Sequence, residues 1–235
     1  MILRPFIIGL DRFADVAYFF SLRMGLGVVV PTPVVDVSDL ILVGDGTPES
    51  YVLVILAHHL NGRKTVGLAK HEQLRGLTVL RDVATYIMAA ARLRTLVLIV
   101  DRDDKRLDEL TSEVEQRLNE AEVKRGEVRD EGAIKETTLH HKGREICLIV
   151  LVNDCELVGA RRYTIENHLL SVAEKIFGRD AVSRLLREAG GDPKVAWAKL
   201  GKEGRRDVFE RMVKRPELVE RAFPQHVRVL RRLDD

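Results

Sequence analysis

Residues 95–104 read TLVLIVDRDD, six apolar or β-branched residues followed by three acids around one arginine. An unbroken apolar run of this length suits a strand buried on both faces, which belongs in a parallel sheet covered by helices. In an open parallel sheet, ligands gather beyond the carboxyl ends of the strands. The abrupt change from apolar to acidic therefore places Asp101, Asp103 and Asp104 where a site would form.

Working outward, the same grammar repeats. DLILVGDG, from residue 39, reads as a short buried strand ending in a glycine turn. Pro48 and Glu49 suit a helix start, SYVLVILAHHL continues it, and Asn61-Gly62 stops it. TVGLA predicts the next strand, and the apolar spacing of 72–92 predicts a helix leading to TLVLIV. After Asp104, Leu107, Leu110, Val114 and Leu118 mark one face of a surface helix. EICLIVLVN, 145–153, is another continuous apolar strand, and Thr164 caps a helix running to Gly178. Residues 26–38, rich in valine but broken by Pro31 and Pro33, suit an edge strand and turn.

The expected fold is α/β, a mostly parallel sheet flanked by helices. Residues 1–178 form the α/β domain with an N-terminal extension, and 179–235 form a helical C-terminal region. That region shows helical segments near 180–189, 194–200, 204–214 and 216–222, punctuated by glycine and proline, with HVRVL as a late strand candidate.

Composition narrows the classes. The 235 residues are 46% hydrophobic and 31% charged with a formal charge of +2, so the overall field selects no partner. Cys147 and Cys155 lack CxxC spacing and read as reduced thiols of a cytoplasmic protein. The apolar N-terminus is interrupted by Arg4, Asp11, Arg12 and Asp15, which fits neither a signal peptide nor a membrane span. Scarce Asn and Gln beside plentiful Arg, Glu and Lys point to a thermophilic source.

Three elements lead to acids: Asp45 and Glu49 after the first strand, Asp101 and Asp103 after the second, and Glu166 in the first turn of the helix beyond Asn153. Gathered carboxylates repel unless a cation joins them or some are protonated. A hard divalent ion, Mg²⁺ or Mn²⁺, is the economical counter-charge, and it leaves coordination positions for phosphate oxygens.

The ordered set LILVGDGTPES, LVLIVDRDD and YTIENHLL resembles the Toprim fold, in particular Toprim domains of OLD-family nucleases and related uncharacterised proteins. The resemblance covers about residues 39–178. It implies a Toprim-like, Rossmann-like fold and divalent-metal-dependent phosphoryl transfer on nucleic acid, DNA or RNA, as a nuclease. Asp101, Asp103, Glu49 and Glu166 would hold the metal, and Asp45 would stand where the family has its catalytic glutamate. Here the chain departs from the pattern, because Gly44 is inserted and aspartate is one methylene shorter. The alternative is a catalytically silent Toprim-like module that binds nucleic acid, a protein partner or a second copy of itself. A nucleotide-binding regulatory domain is weaker, since neither a Walker A nor a GxGxxG motif occurs.

Each feature also has an ordinary structural explanation. The 101–104 acids can cap the next helix, Asp45-Gly46 can be a tight turn, and Glu166 can complement a helix dipole. His58-His59 and His140-His141 point apart on neighbouring positions and read as structural. The C-terminal arginines and lysines, including Arg205, Arg206, Arg231 and Arg232, alternate with acids as solvated helix faces do, and Trp197 reads as packing.

Overall fold

The computed structural model describes residues 1–6, 12–44, 46 and 48–234, with side chains in the first helix from residue 15 onward. Along the chain run β1 (Ile2–Pro5), α1 (Arg12–Arg23), β2 (Asp39–Val43), α2 (Pro48–Leu60) and β3 (Thr65–Lys70). A 3-10 helix (Gly76–Asp82), α3 (Val83–Ala89), β4 (Thr95–Asp101) and α4 (Leu107–Glu120) follow. Then come β5 (Lys124–Arg125), β6 (Arg129–Glu131), β7 (Ile134–His141), β8 (Arg144–Asn153) and α5 (Ile165–Phe177). The chain ends in α6 (Arg179–Glu188), α7 (Pro193–Lys199), α8 (Gly201–Lys214), α9 (Pro216–Ala222) and α10 (Pro224–Asp234).

The described strands make one sheet in the order β1-β3-β2-β4-β8-β7-β5, with β6 beside β7. β1, β3, β2, β4 and β8 are mutually parallel, so their carboxyl ends share one edge. From β2 the chain crosses to β3 on one side, then returns past β2 to β4 on the other. The order reverses between β2 and β4, which opens a crevice at their carboxyl ends. This is a mixed, mostly parallel α/β sheet of Rossmann-like build, as the apolar runs predict.

Period-two alternation sorts the strand residues to two faces. Leu40, Leu42, Leu96, Leu98, Val100, Leu148, Val150 and Val152 pack with the 3-10 helix, α3 and α4. Ile41, Val43, Val97, Ile99, Ile149 and Leu151 face α1, α2, α5 and the C-terminal helices. Asp101 and Asn153, register partners at the ends of β4 and β8, continue this second set. Gly178, with φ 89°, separates α5 from α6. Beyond it Val182, Trp197, Phe209, Met212, Phe223 and Leu230 enter the same buried cluster as the sheet.

Three expectations change. HVRVL is helical within α10, whose buried His226, Val227, Val229, Leu230 and Leu233 follow helical spacing behind Pro224. A five-residue apolar alternation cannot by itself separate strand from helix. The 72–92 helix is shortened to the 3-10 turn and α3, because Gly76 takes φ +53° and Arg75 donates to the carbonyls of His71, Glu72 and Leu74. Residues 26–38 run along β1 through isolated bridges, Leu3 to Val29 and Phe6 to Val34, because Pro31 and Pro33 have no N–H for a ladder.

β1, α1 and the β5–β7 meander carry little pattern of their own in the residues, the meander least of all. Its one sharp signal is Lys142-Gly143, both at positive φ between the paired His141 and Arg144, a two-residue hairpin turn.

Candidate functional site

The site lies at the crevice between β2 and β4. β2 leaves the sheet through Gly44, whose N–H bonds the Ile99 carbonyl at 2.8 Å. A Cβ there would stand 2.9 Å from Val100 Cγ1 and 3.1 Å from the Ile99 oxygen, so glycine is what lets β2 pass β4 closely. Gly44 is therefore a packing requirement. Asp45, the expected acid/base residue, lies outside the described residues.

Asp101 is the centre. Its side chain is 2% exposed, and Oδ1 accepts from Asn153 Nδ2 at 2.9 Å and from the Ile165 N–H, at the start of α5, at 3.0 Å. Oδ2 pairs with Lys194 Nζ of α7 at 2.8 Å. Because Asn153 gives its amide hydrogen to a carboxylate, its Oδ1 faces His226 Nε2, 2.9 Å away. That ring nitrogen must donate, which leaves His226 neutral with a bare, buried Nδ1. Burial holds the His226 pKa well below the ordinary imidazole value, with His168 adding to the effect. A buried chain thus runs from His226 through Asn153 and Asp101 to Lys194.

Glu49, in the first turn of α2, and Glu166, in the first turn of α5, complete the cluster. Both are buried, and the Oε2 of each has no hydrogen-bond partner among the described residues. Burial, then the charges of Asp101 and Glu166, push the Glu49 carboxyl up to about 8. Burial and Asp101 raise Glu166 as well, although Thr164 and Lys194 oppose this. Gly46 leaves room for the Glu49 carboxylate, since a Cβ there would be 3.2 Å from its Oε2.

Asp103 takes a left-handed backbone conformation, φ +56°, which is costly for a residue with a side chain. Its N–H and carbonyl pair with Tyr163 at 2.9 and 2.8 Å, tying the loop after β4 to the loop before α5. Arg102 strengthens the tie, pairing with Asp154 at 2.5 Å and lying 3.8 Å over the Tyr163 ring. Burial and Asp101 raise the Asp103 carboxyl, against Lys194 and Arg162.

Glu49, Asp101, Asp103 and Glu166 thus come close enough to perturb one another. Among the described residues, no group of three or more His, Cys, Asp or Glu side chains stands ready-made to hold a metal ion. Lys194 supplies the cation at Asp101; desolvation works to lower its pKa, but the charge and hydrogen bond of Asp101, with the charges of Glu166 and Asp103, raise it. Lys194, Asn153 and His226 were not singled out from sequence. Asn153 alone carried a signal, as the polar end of an apolar strand.

No protein-family model, curated protein or solved structure matches the chain. Its chemistry is therefore read from its own geometry. The expected histidine pairs are peripheral to the cluster: His59 Nε2 meets the Met212 carbonyl at 2.8 Å, and His140 pairs with Glu145. No helix among the described residues is long and apolar enough to cross a membrane.

Proposed function

We propose that this protein is a Toprim-like, divalent-cation-dependent nuclease, with Asp101, Asp103, Glu49 and Glu166 holding Mg²⁺ or Mn²⁺. The observation that carries the reading is the pair of buried carboxylate oxygens, Glu49 Oε2 and Glu166 Oε2, that have no hydrogen-bond partner among the described residues, beside Asp101 at the point where the strand order reverses. Buried polar atoms ordinarily find partners. Hard oxygen donors of this kind suit a hard divalent cation. Such an ion, when bound, polarises a phosphoryl oxygen and acidifies water.

The chain's own residues then divide the work. Asn153 and the α5 amide hold Asp101 in place. Lys194, nearly half exposed, swings away from Asp101 or turns its charge toward a phosphate. Asp45, which follows β2 in the sequence, is the acid/base candidate. A second reading, a silent module that binds nucleic acid or a protein without cutting, is favoured by one feature: the Lys194 ammonium already neutralises Asp101.

Calorimetry with Mn²⁺ tests the site. Asp101→Asn with Asp103→Asn is expected to remove most of the binding heat, whereas Glu113→Gln, on α4 and paired with Lys105 and Arg117, leaves it intact. Equal losses would mark a general charge effect. For activity, DNA or RNA is offered with either ion. Asp45→Asn is expected to stop cleavage while metal still binds, and Asp45→Glu to raise cleavage if reach is limiting. A folded, metal-binding protein that cuts neither substrate leaves the silent module as the answer.

A further inference from the structure

A groove of about 570 Å³ opens beside the acidic cluster, within the range of ligand clefts, about 300–1,000 Å³. Glu166 and Lys194 line it, so it is continuous with the site at Asp101. Its apolar wall is aromatic and interlocked. Tyr51 stacks on Phe20 with ring centres 4.4 Å apart, and Phe209 meets both Tyr51 and Trp197 edge-on at 5.3 and 5.6 Å. Its rim is cationic: Arg23 from the end of α1, Lys194 from α7, and Lys202, Arg205 and Arg206 from the first turns of α8. Glu166 and Glu203 are the acids on the lining.

Some basic residues of the C-terminal region are neutralised in place. Arg228, Arg231 and Arg232 are each matched with a carboxylate, of Glu131, Glu220 and Glu136 respectively. At the groove, Arg23 and Lys202 have no ion pair among the described residues, and Arg206 has only Glu210, 3.5 Å away on its own helix. Arg205 Nε donates to the Gly201 carbonyl at 3.1 Å, and among the described residues no carboxylate pairs with it. Charges left unpaired on one lip of a cleft, over a rigid aromatic wall, suit the repeated phosphates of a nucleic-acid strand.

We propose that this groove binds the sugar–phosphate backbone of a single nucleic-acid strand, with Lys202, Arg205 and Arg206 contacting its phosphates and Lys194 marking where the strand meets the acids. The assignment deepens the nuclease reading and rests on it for the strand's destination. The size of the cleft favours a short run of one strand over a duplex. DNA and RNA share the chemistry that the rim recognises.

The test is fluorescence anisotropy on the full chain in chelator, so that binding is read without cleavage. Labelled single-stranded DNA, RNA of the same sequence, duplex DNA and polyglutamate are the probes. Lys202→Ala with Arg205→Ala and Arg206→Ala is expected to weaken single-strand binding roughly ten-fold or more and to reduce the salt slope by about 2, as loss of three phosphate contacts requires. Arg63→Ala with Arg94→Ala and Lys142→Ala removes the same charge near the amino ends of β3, β4 and β8, and is expected to change little. Equal losses from both triple variants would overturn the groove while keeping nucleic-acid binding. Tighter binding of polyglutamate or of duplex would overturn it in favour of an acidic protein or a double strand. No binding of any oligonucleotide would sink the groove and the nuclease reading together. Loss of Mn²⁺ heat with intact strand binding counts against the metal site alone. Should the triple variant fail to fold, photo-cross-linking of a thiothymidine-containing strand to the wild-type chain replaces it: attachment within residues 194–209 supports the groove, and attachment elsewhere overturns it.

Discussion

The two edges of the parallel sheet treat carboxylates in opposite ways. At the amino edge, Asp36 accepts from the Arg92 backbone N–H and from its Nε, both at 2.8 Å, and these bonds hold its pKa below the usual carboxylate range despite some desolvation. Asp39 accepts from Ser38 Oγ at 2.5 Å and pairs with Lys64. Arg144 donates to the carbonyls of Ile87, Ala90 and Leu93, closing the end of α3. At the carboxyl edge, Glu49 and Glu166 are buried, each with one oxygen that has no partner among the described residues, and their carboxyl pKa values are raised. One edge is arranged for stability, and the other carries a crowding of buried carboxyls whose ionisation is opposed by burial and by one another. The carboxyl edge tolerates it because α2 and α5 begin there, and helix amino termini favour negative charge.

The contrast can be broken from its centre outward. Asn153→Ala carries the largest expected effect, because it strands the buried His226 N–H and takes from Asp101 Oδ1 one of its two donors, leaving only the Ile165 N–H. A loss of about 3–4 kcal/mol in denaturant unfolding is expected, and a loss below about 1 kcal/mol would show that the chain from His226 to Asp101 is not a structural unit.

Lys194→Gln comes next. The ion pair is half exposed and Asp101 keeps two other donors, so about 1–2 kcal/mol is expected in chelator. Added Mn²⁺ is then expected to raise the melting temperature of Lys194→Gln more than that of wild type, since the competing ammonium is gone. An unchanged metal response would separate Lys194 from the site.

Glu49 sharpens the comparison through pH. Its folded carboxyl lies at about 8 against an ordinary 4.5, so between these values the folded chain keeps a proton that the unfolded chain has released. Stability from this group is full below the unfolded value and is lost as pH rises toward the folded one, at up to about 1.4 kcal/mol per unit. In chelator, Glu49→Gln is expected to flatten that decline, and parallel wild-type and variant curves would contradict the assignment. The smallest effect belongs to the amino edge: Asp36→Asn, half-buried beside the exposed Arg92, is expected to leave the melting temperature almost unmoved at neutral pH.

Much of the framework is legible in the residues. The runs at 39–43, 95–101 and 145–153 are continuous and apolar because those strands are buried on both faces, and Thr164, Gly178 and Asn61 bound their helices through local backbone preferences. The meander at 124–141 was not read, because its outer strands are short and polar and its turn is Lys-Gly, not the stronger Asn-Gly. The helical reading of HVRVL needed the core that α10 fills, since five residues satisfy two periods.

For the site, the sequence by itself determined that Glu49, Asp101, Asp103 and Glu166 follow strands or open helices, and such positions are set by the local chain. The tertiary structure alone decided that they meet, because the return of the chain past β2 puts β4 beside it and makes one crevice of two separate strand ends. It alone brought Lys194 onto Asp101, and His226 onto Asn153 across 73 residues of chain. No local pattern marks those residues, because a buried charge is balanced by whatever side chain packing delivers to it, wherever that side chain lies in the sequence.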